Sequence, residues 1–474
     1  MAPSTGVTGR TRPAALPGPR GSLLLGSALQ LRRDLLATLL RDQETYGDLV
    51  AYQLGPVGPL REQLVLAHHP DDVHQVMANT ERTVSKDTIG FRAMADLLGR
   101  GLLTTEGDEW RRQRRIVQPL FTPRRVAGYA TLMGEEAARI ADAPAAPGHR
   151  AGEPVDLHLL MLRYTLRVVG RALFGDAIED LVPVLHDLVP AVSDATMRRT
   201  FQLRQSPMER RTPRNRRPRR LRAQEYAVVD EILSRSPRPG DPAYDEAVEA
   251  RDDLVTRLRA ARDPETGGRL SETEIRDQAL IFLMAGHETT AGALTFTLHL
   301  LGRHPEVQER VAAEVADVLG DRPVPTADDL PQLPLTRAAL MEGMRLYPSA
   351  HITERLTTEP LTLAGHDLPA RTLVAVSPWS TQRHPRFWPE PSRFDPGRFL
   401  DEEANRARPR YAYFPFGGGP RSCVGEHFAM LEAEILLAAL LRRHRVTSLS
   451  ERLDIVPMIT LRPAGEVPVV LMDR

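Results

Sequence analysis

Apolar residues along this chain recur mainly at helical spacing, and two runs dominate. One covers roughly residues 272 to 302 and opens on Ser271-Glu272-Thr273-Glu274. That is a capping box, a serine N-cap answered by a glutamate three residues on. The other runs from Phe428 to Leu441. Shorter helical patterns cover Gly26 to Tyr46, a stretch starting at Pro70, a basic segment opening at Glu109, and His304-Pro305-Glu306 through Leu319. Thr326 to Leu333 reads as a turn and short helix. Period-two alternation at Leu49–Leu54 and Gln63–Ala67 predicts a hairpin. Leu361–Leu363 and Leu373–Ser377 read as strands, and Ile459-Thr460-Leu461 with Val467–Leu471 as a C-terminal hairpin turning near Met458. Residues 84 to 100, with Gly90 and Gly99, read as an irregular connection. The pattern as a whole predicts a mainly α chain with a small β region.

Two interruptions in this pattern carry the chemistry. In the middle of the first long run, Ala285-Gly286-His287-Glu288-Thr289-Thr290 places an acid and hydroxyls in an otherwise apolar helix. Such groups are costly there unless paired. One reading of the hydroxyls is a bond back to the carbonyl one turn earlier. The second interruption is Phe416-Gly417-Gly418-Gly419-Pro420-Arg421-Ser422-Cys423-Val424-Gly425, just before the other long helix. Cys423 is the only cysteine, so it forms no internal disulfide or CxxC pair. A glycine-rich loop entering a helix gathers backbone N–H groups and the positive end of the helix dipole, which favours a thiolate. Nucleophile, metal ligand and inert thiol all remain open on these residues alone. His427, one turn on, is weak evidence for a nucleophile's base.

Composition narrows the class. The 474 residues carry 62 basic and 62 acidic side chains and are 42% hydrophobic, a globular balance. No apolar run reaches the ~18 residues of a membrane span, and Leu23 to Leu29 is too short. We therefore expect no membrane anchor and no signal peptide. A single cysteine suits a reducing, cytoplasmic setting. Lys86 is the only lysine, and the arginine, alanine and proline richness reads as a GC-rich coding bias. The densest basic run, Arg198 to Arg222, is broken by Pro207, Pro213 and Pro218. It lacks aromatic residues spaced for base stacking, so we expect no nucleic-acid partner and read it as a lid loop leading into a helix.

Phe416, Gly419, Arg421, Cys423 and Gly425 together resemble the haem-binding signature of the cytochrome P-450 family, Phe-x-x-Gly-x-Arg-x-Cys-x-Gly. The resemblance runs from about residue 40 to the C-terminus. It implies a single-domain fold with the cofactor between the long central helix and the Cys-loop helix. The expected division is a flexible segment over residues 1–25 and a catalytic domain over 26–474. The implied cofactor is haem b (iron protoporphyrin IX). Cys423 would be the axial thiolate, with loop amides bonded to its sulfur. Arg421 would pair with a propionate, and Gly425 would let the helix lie close beneath the ring.

Other segments resemble the family in the same way. Ala285, Gly286, Glu288 and Thr289 match its Ala/Gly-Gly-x-Asp/Glu-Thr motif. This implies that Gly286 loosens the helix beside bound O2 while Glu288 and Thr289 manage protons. Trp110 and Arg114, four apart, would reach the propionates, with Arg355 as a further candidate. Glu342 and Arg345, three apart, would join Arg398 in a buried structural network. The segment 84–100, residues 349–353 and the turn near Met458 would border the substrate, and Phe282 and Ala285 point to an apolar cavity. Arg111, Arg112 and Arg115, facing elsewhere, form a basic patch suited to an acidic electron donor.

The implied reaction is monooxygenation of an apolar organic molecule, such as a terpenoid, polyketide or lipid, in bacterial specialised metabolism. With no flavin domain expected after Cys423, ferredoxin and ferredoxin reductase would supply electrons in trans. A peroxide-driven peroxygenase and a non-catalytic haem-binding sensor are the alternatives. The retained Glu288–Thr289 pair argues against both.

Overall fold

The structure, a computed structural model, describes residues 16–57, 62–142, 152–175, 182–200, 206–208, 210–236, 238 and 253–474. Its axis is the helix Glu272–Arg303, and the capping box at Ser271 and Glu274 forms as the sequence predicts. From Gln278 onward most of its residues are buried. A helix apolar on every side has to sit inside a larger protein rather than on its surface. The Cys-loop helix, Glu426–Arg443, is of the same kind, buried continuously from Met430 to Leu441. Both share one core with the helix Leu157–Phe174, through Leu294, Leu298, Leu436, Leu440, Tyr164 and Val168. Helix Pro334–Leu346 also packs on the axis. There Gly343 permits the approach, because a Cβ would lie 2.1 Å from the Thr297 hydroxyl.

The β region forms one five-stranded sheet and smaller pieces. Leu49–Leu54 and Glu62–Ala67 form the predicted hairpin, with Leu49 opposite Ala67. Glu62–Ala67 then runs parallel to Leu373–Val376, which pairs antiparallel with Thr353–Thr357, and Val84–Ser85 closes the edge. Leu361–Leu363 pairs with His366–Leu368.

Several expectations are corrected. The Gly26–Tyr46 pattern is two helices, Ala28–Arg33 and Leu35–Tyr46. They break at Asp34, whose carboxylate caps the second by accepting the Ala37 N–H at 3.1 Å. Residues 84–100 are not irregular, because they contain the helix Ile89–Leu98, capped by Thr88 and stopped at Gly99 with φ +78°. Gly90 does not break it, since it lies in the first turn and gives its N–H to the Glu354 carboxylate at 3.0 Å. The C-terminal hairpin is also different. Ile455–Pro457 pairs with Leu461–Pro463, whereas Pro468–Asp473 joins His444–Ser448 and Val155–Asp156. The predicted turn near Met458 is therefore real, but its partner strand lies upstream of it. The arginine run is more helical than expected, with helix Pro213–Ser234 accommodating Pro213 at its start and Pro218 within. Residues 16–25, placed by composition in the N-terminal segment, run beside the first strand, where the Ala51 N–H donates to the Pro17 carbonyl.

Candidate active site

Cys423 lies at one wall of a cavity of about 460 Å³. The loop that carries it is fixed by its own backbone. The Cys423 N–H donates to the Phe416 carbonyl at 2.9 Å, and the Ser422 N–H to that of Gly419 at 3.2 Å. Gly419 has φ +65°, and a Cβ there would lie 2.3 Å from the Met77 carbonyl oxygen, so only glycine fits. Gly425 stands at the N-cap of the following helix, and a Cβ on it would touch the Cys423 sulfur at 3.9 Å. Cys423 opens to the cavity, although it lies far from bulk solvent. That burial pushes the thiol up, and the Gly425 N–H and Arg114 pull it down more weakly. The helix start alone therefore does not make the thiolate the sequence led us to expect. A metal ion bound at the sulfur would reverse the balance.

The central helix lines the same cavity with Ala285, Gly286, Glu288, Thr289 and Thr290, and it runs unbroken through Gly286. The Thr289 hydroxyl donates to the Ala285 carbonyl at 2.5 Å, the bond back along the helix weighed above. The Thr289 carbonyl accepts from the Ser349 hydroxyl at 2.7 Å. Glu288 is nearly buried, and desolvation pushes its carboxyl up, while Thr460 and Arg462 hold it down. Arg462 stands 3.9 Å away on the strand after the Met458 turn. Phe91, Met94, Leu98, Ile281 and Phe282 make much of the remaining surface apolar.

Positive charge borders the cavity. Arg421 bonds Glu81 and the Thr105 carbonyl, and its guanidinium lies 3.9 Å over the Trp110 ring. Arg114 donates to the Ser422 carbonyl at 3.1 Å, which holds it beside the Cys loop. Arg355 is 3% exposed and bonds Thr80, Thr353, the Glu354 carbonyl and the Met77 sulfur. Burial lowers it to about 10. Lys86 is equally buried, donating to the Leu103 carbonyl at 2.7 Å and standing 4.0 Å over Phe91. Among the described residues neither Arg355 nor Lys86 has a carboxylate at ion-pair distance. The structure thus brings Trp110, Arg114, Arg355, Arg421, Cys423, Ala285, Glu288 and Thr289 to one cavity.

Glu342, Arg345 and Arg398 lie apart from it. Glu342 and Arg345 form a fully buried bidentate pair at 2.7 and 2.8 Å. Arg398 adds a single contact to Glu342 at 3.4 Å rather than a second fork. The expected basic patch is neutralised, because Arg111 pairs with Asp108, Arg112 with Glu274, and Arg115 with Asp263 and Glu265. Sequence reasoning missed Lys86, Thr460 and Arg462. The signal for Lys86 was available, as a chain that uses arginine everywhere else keeps one lysine here.

A protein-family comparison matches residues 16–466 to cytochrome P-450. Cyclooctatin synthase of Streptomyces melanosporofaciens is 37% identical over 431 residues, 90% of this chain and 89% of the relative. Cyclooctat-9-en-7-ol 5-monooxygenase of the same organism is 35% identical, covering 92% and 89%. Pentalenene oxygenase of Streptomyces avermitilis is 36% identical, covering 94% and 93%. The chain belongs to the cytochrome P-450 family. It is a monooxygenase that takes a small-molecule substrate and O2, and the family's cofactor is a haem iron. No described helix is long and apolar enough to cross a membrane.

The residues present fit a haem. A thiol faces the cavity from one wall, and buried cations lacking carboxylate partners supply what two acidic side chains of a porphyrin would need. Beside the sulfur, Gly425 carries no side chain, and a Cβ there would meet only the Cys423 sulfur, at 3.9 Å.

Proposed function

We propose that this enzyme oxidises an apolar cyclic terpenoid in bacterial specialised metabolism, acting in the cytoplasm with haem b. Electrons would come from a ferredoxin and its reductase in trans. Residues 26–474 would form one catalytic domain. The observation that carries this reading is a largely apolar cavity with Cys423 on one wall and Glu288 with Thr289 on another. The similarity to enzymes named for cyclooctatin, cyclooctat-9-en-7-ol and pentalenene supports the terpenoid class.

When bound, the haem supplies iron at which O2 is activated, and Cys423 would be its protein ligand. Arg114, Arg355, Arg421 and Lys86 would hold the propionates, with Trp110 stacked behind Arg421. The Phe416 carbonyl holds the Cys423 N–H, Gly419 packs the loop on Met77, and Gly425 keeps a side chain from the sulfur. Apolar side chains position the substrate by exclusion of water rather than by hydrogen bonds. Ala285 presents a small side chain to the cavity, and glycine at 286 lets the central helix pack on Val169, which a Cβ would approach to 3.1 Å. Thr289 holds its hydroxyl proton at the cavity surface, bonded to the Ala285 carbonyl, from which rotation about one bond turns it inward. Glu288 would carry the next proton; burial raises its carboxyl above the ordinary range, and Thr460 and Arg462 oppose that rise. Replenishment from the Arg462 side is consistent with that side chain being 24% exposed.

The test is the absorption difference spectrum of the reduced protein with carbon monoxide, for wild type and Cys423→Ser. Wild type should give the red-shifted Soret band of thiolate ligation and the variant should lose it. A histidine-type band in wild type would sink the assignment of Cys423. Turnover of cyclic terpene hydrocarbons and alcohols with a surrogate ferredoxin system then tests the substrate class.

A further inference from the structure

Positioning by apolar contact has one exception on the cavity wall. Helix Val182–Thr200 packs against helices Ile89–Leu98, Leu157–Phe174 and Pro213–Ser234, and it reaches the cavity through Val192 and Ser193. Val192 belongs to one apolar cluster with Leu98 and Ile281, which also line the cavity. Ser193 adjoins this apolar stretch of the wall, on a different element from the Cys loop and its arginines. It is 2% exposed, and its hydroxyl has no hydrogen-bond partner among the described residues. A serine inside a helix has a ready partner in the carbonyl one turn earlier. Thr196 and Thr200 of the same helix take that bond, at 2.9 and 3.0 Å, and Ser193 does not. Three further hydroxyls of the cavity wall are engaged as well. Thr289 donates to the Ala285 carbonyl, Ser349 donates to that of Thr289, and Thr353 accepts from Arg355. A buried hydroxyl left unpaired is destabilising, and a ligand that brings a partner recovers the loss.

We propose that Ser193 sets specificity by donating a hydrogen bond to an oxygen that the substrate already carries, as a hydroxyl or a ketone. This rests on the terpenoid reading and narrows it from a hydrocarbon to an oxygenated cyclic terpenoid. A serine hydroxyl donates one bond and accepts others, so an alcohol and a ketone both satisfy it. In a largely apolar cavity, one placed polar group fixes how a rigid ring system is oriented. A hydrocarbon of the same shape would bind with the hydroxyl still buried and unpaired, and is disfavoured for that reason. The enzyme would then act after a step that has introduced oxygen, such as capture of a ring-forming cation by water.

The test titrates the full-length, haem-loaded protein with matched pairs of cyclic terpenoids, cedrol against cedrane and sclareol against labdane, following the Soret band. Wild type is compared with Ser193→Ala and Ser193→Thr. The ratio of alcohol to hydrocarbon affinity should fall roughly tenfold in Ser193→Ala, with hydrocarbon binding not weakened, and should be kept in Ser193→Thr. Thermal unfolding without ligand should show Ser193→Ala no less stable than wild type, since no bond is lost. An affinity ratio unchanged by Ser193→Ala overturns the proposal and leaves the terpenoid reading standing. A clearly lower unfolding temperature for Ser193→Ala also overturns it, because the hydroxyl would then have a partner within the fold. Binding of neither member of either pair, with the carbon monoxide band intact, overturns the terpenoid reading and the proposal with it.

Discussion

Two clusters of buried charge in this protein are built from the same residue types and are finished differently. At Glu342 and Arg345 every charge is closed. The Arg345 Nε and Nη2 take both oxygens of Glu342, Nη1 donates to the carbonyls of Gln382 and Pro391, and Nη2 also reaches that of Arg393. Around the cavity the cations outnumber the acids. Arg421 has Glu81, but Arg355 and Lys86 rest on neutral groups. A closed cluster orders the chain and has no valence left for a ligand. An open one destabilises the protein by itself, because a buried cation without an anion is costly. It becomes favourable only when a ligand brings the missing charge. The difference separates structural arginines from binding arginines without reference to the reaction.

That contrast can be broken most forcefully on the closed side. Glu342→Gln leaves Arg345 fully buried with half its fork, and breaking such a pair costs about 3–5 kcal/mol. Denaturant unfolding should show that loss in both the haem-free and haem-loaded protein. A variant with near-normal stability would mean that the pair is not closed in the sense argued. A third kind of site sharpens the comparison. Glu225 is a buried acid whose two oxygens both lack hydrogen-bond partners among the described residues, and burial pushes it to about 8, opposed by Arg222. Between its ordinary value of 4.5 and that raised value, the unfolded chain has lost the proton and the folded chain keeps it. Stability should therefore fall as pH rises through this window, by about 2–4 kcal/mol from this residue. Thermal unfolding of Glu225→Gln against wild type between pH 5 and 8 should remove that slope. Parallel slopes would show that Glu225 is solvated or paired.

How much of this was legible in the sequence follows from the kind of interaction. The two long helices and the Cys loop were readable because local rules produce them: a capping box, continuous apolar runs, and glycines where only glycine fits, as at Gly419. The helix Ile89–Leu98 was missed because Gly90 was taken as a breaker, while its N–H is used by Glu354, far away in the chain. The C-terminal strands were mispaired because spacing suggests a hairpin, and the true partner of Pro468–Asp473 is set by tertiary packing. The same limit applies to charge. Glu342 and Arg345 announce each other by spacing, whereas the neutralisation of Arg112 and Arg115 comes from Glu274 and Asp263, remote in sequence. Which arginines are left open cannot be counted along the chain. Only the open cluster's lysine had a signal of its own.

Lys86 offers the finest test of the contrast, because its effect should change sign. In the haem-free chain, burial and the nearby Arg355 and Arg421 push the amine well below its ordinary value. Between that lowered value and the ordinary amine value the unfolded chain holds a proton the folded chain lacks, so stability rises with pH through that interval. Lys86→Met should stabilise the haem-free protein at pH 7 by about 1–2 kcal/mol, and the gain should fade as the solution becomes alkaline. With haem bound, a propionate would restore the charge, and the same substitution should speed haem transfer to apomyoglobin by roughly tenfold. Chemical denaturation of the haem-free pair and haem transfer from the loaded pair read the two signs separately. Destabilisation in both states would place Lys86 with Arg345 as a structural charge. A gain without haem and a loss with it would mark the cavity's cation cluster as a site completed by its cofactor.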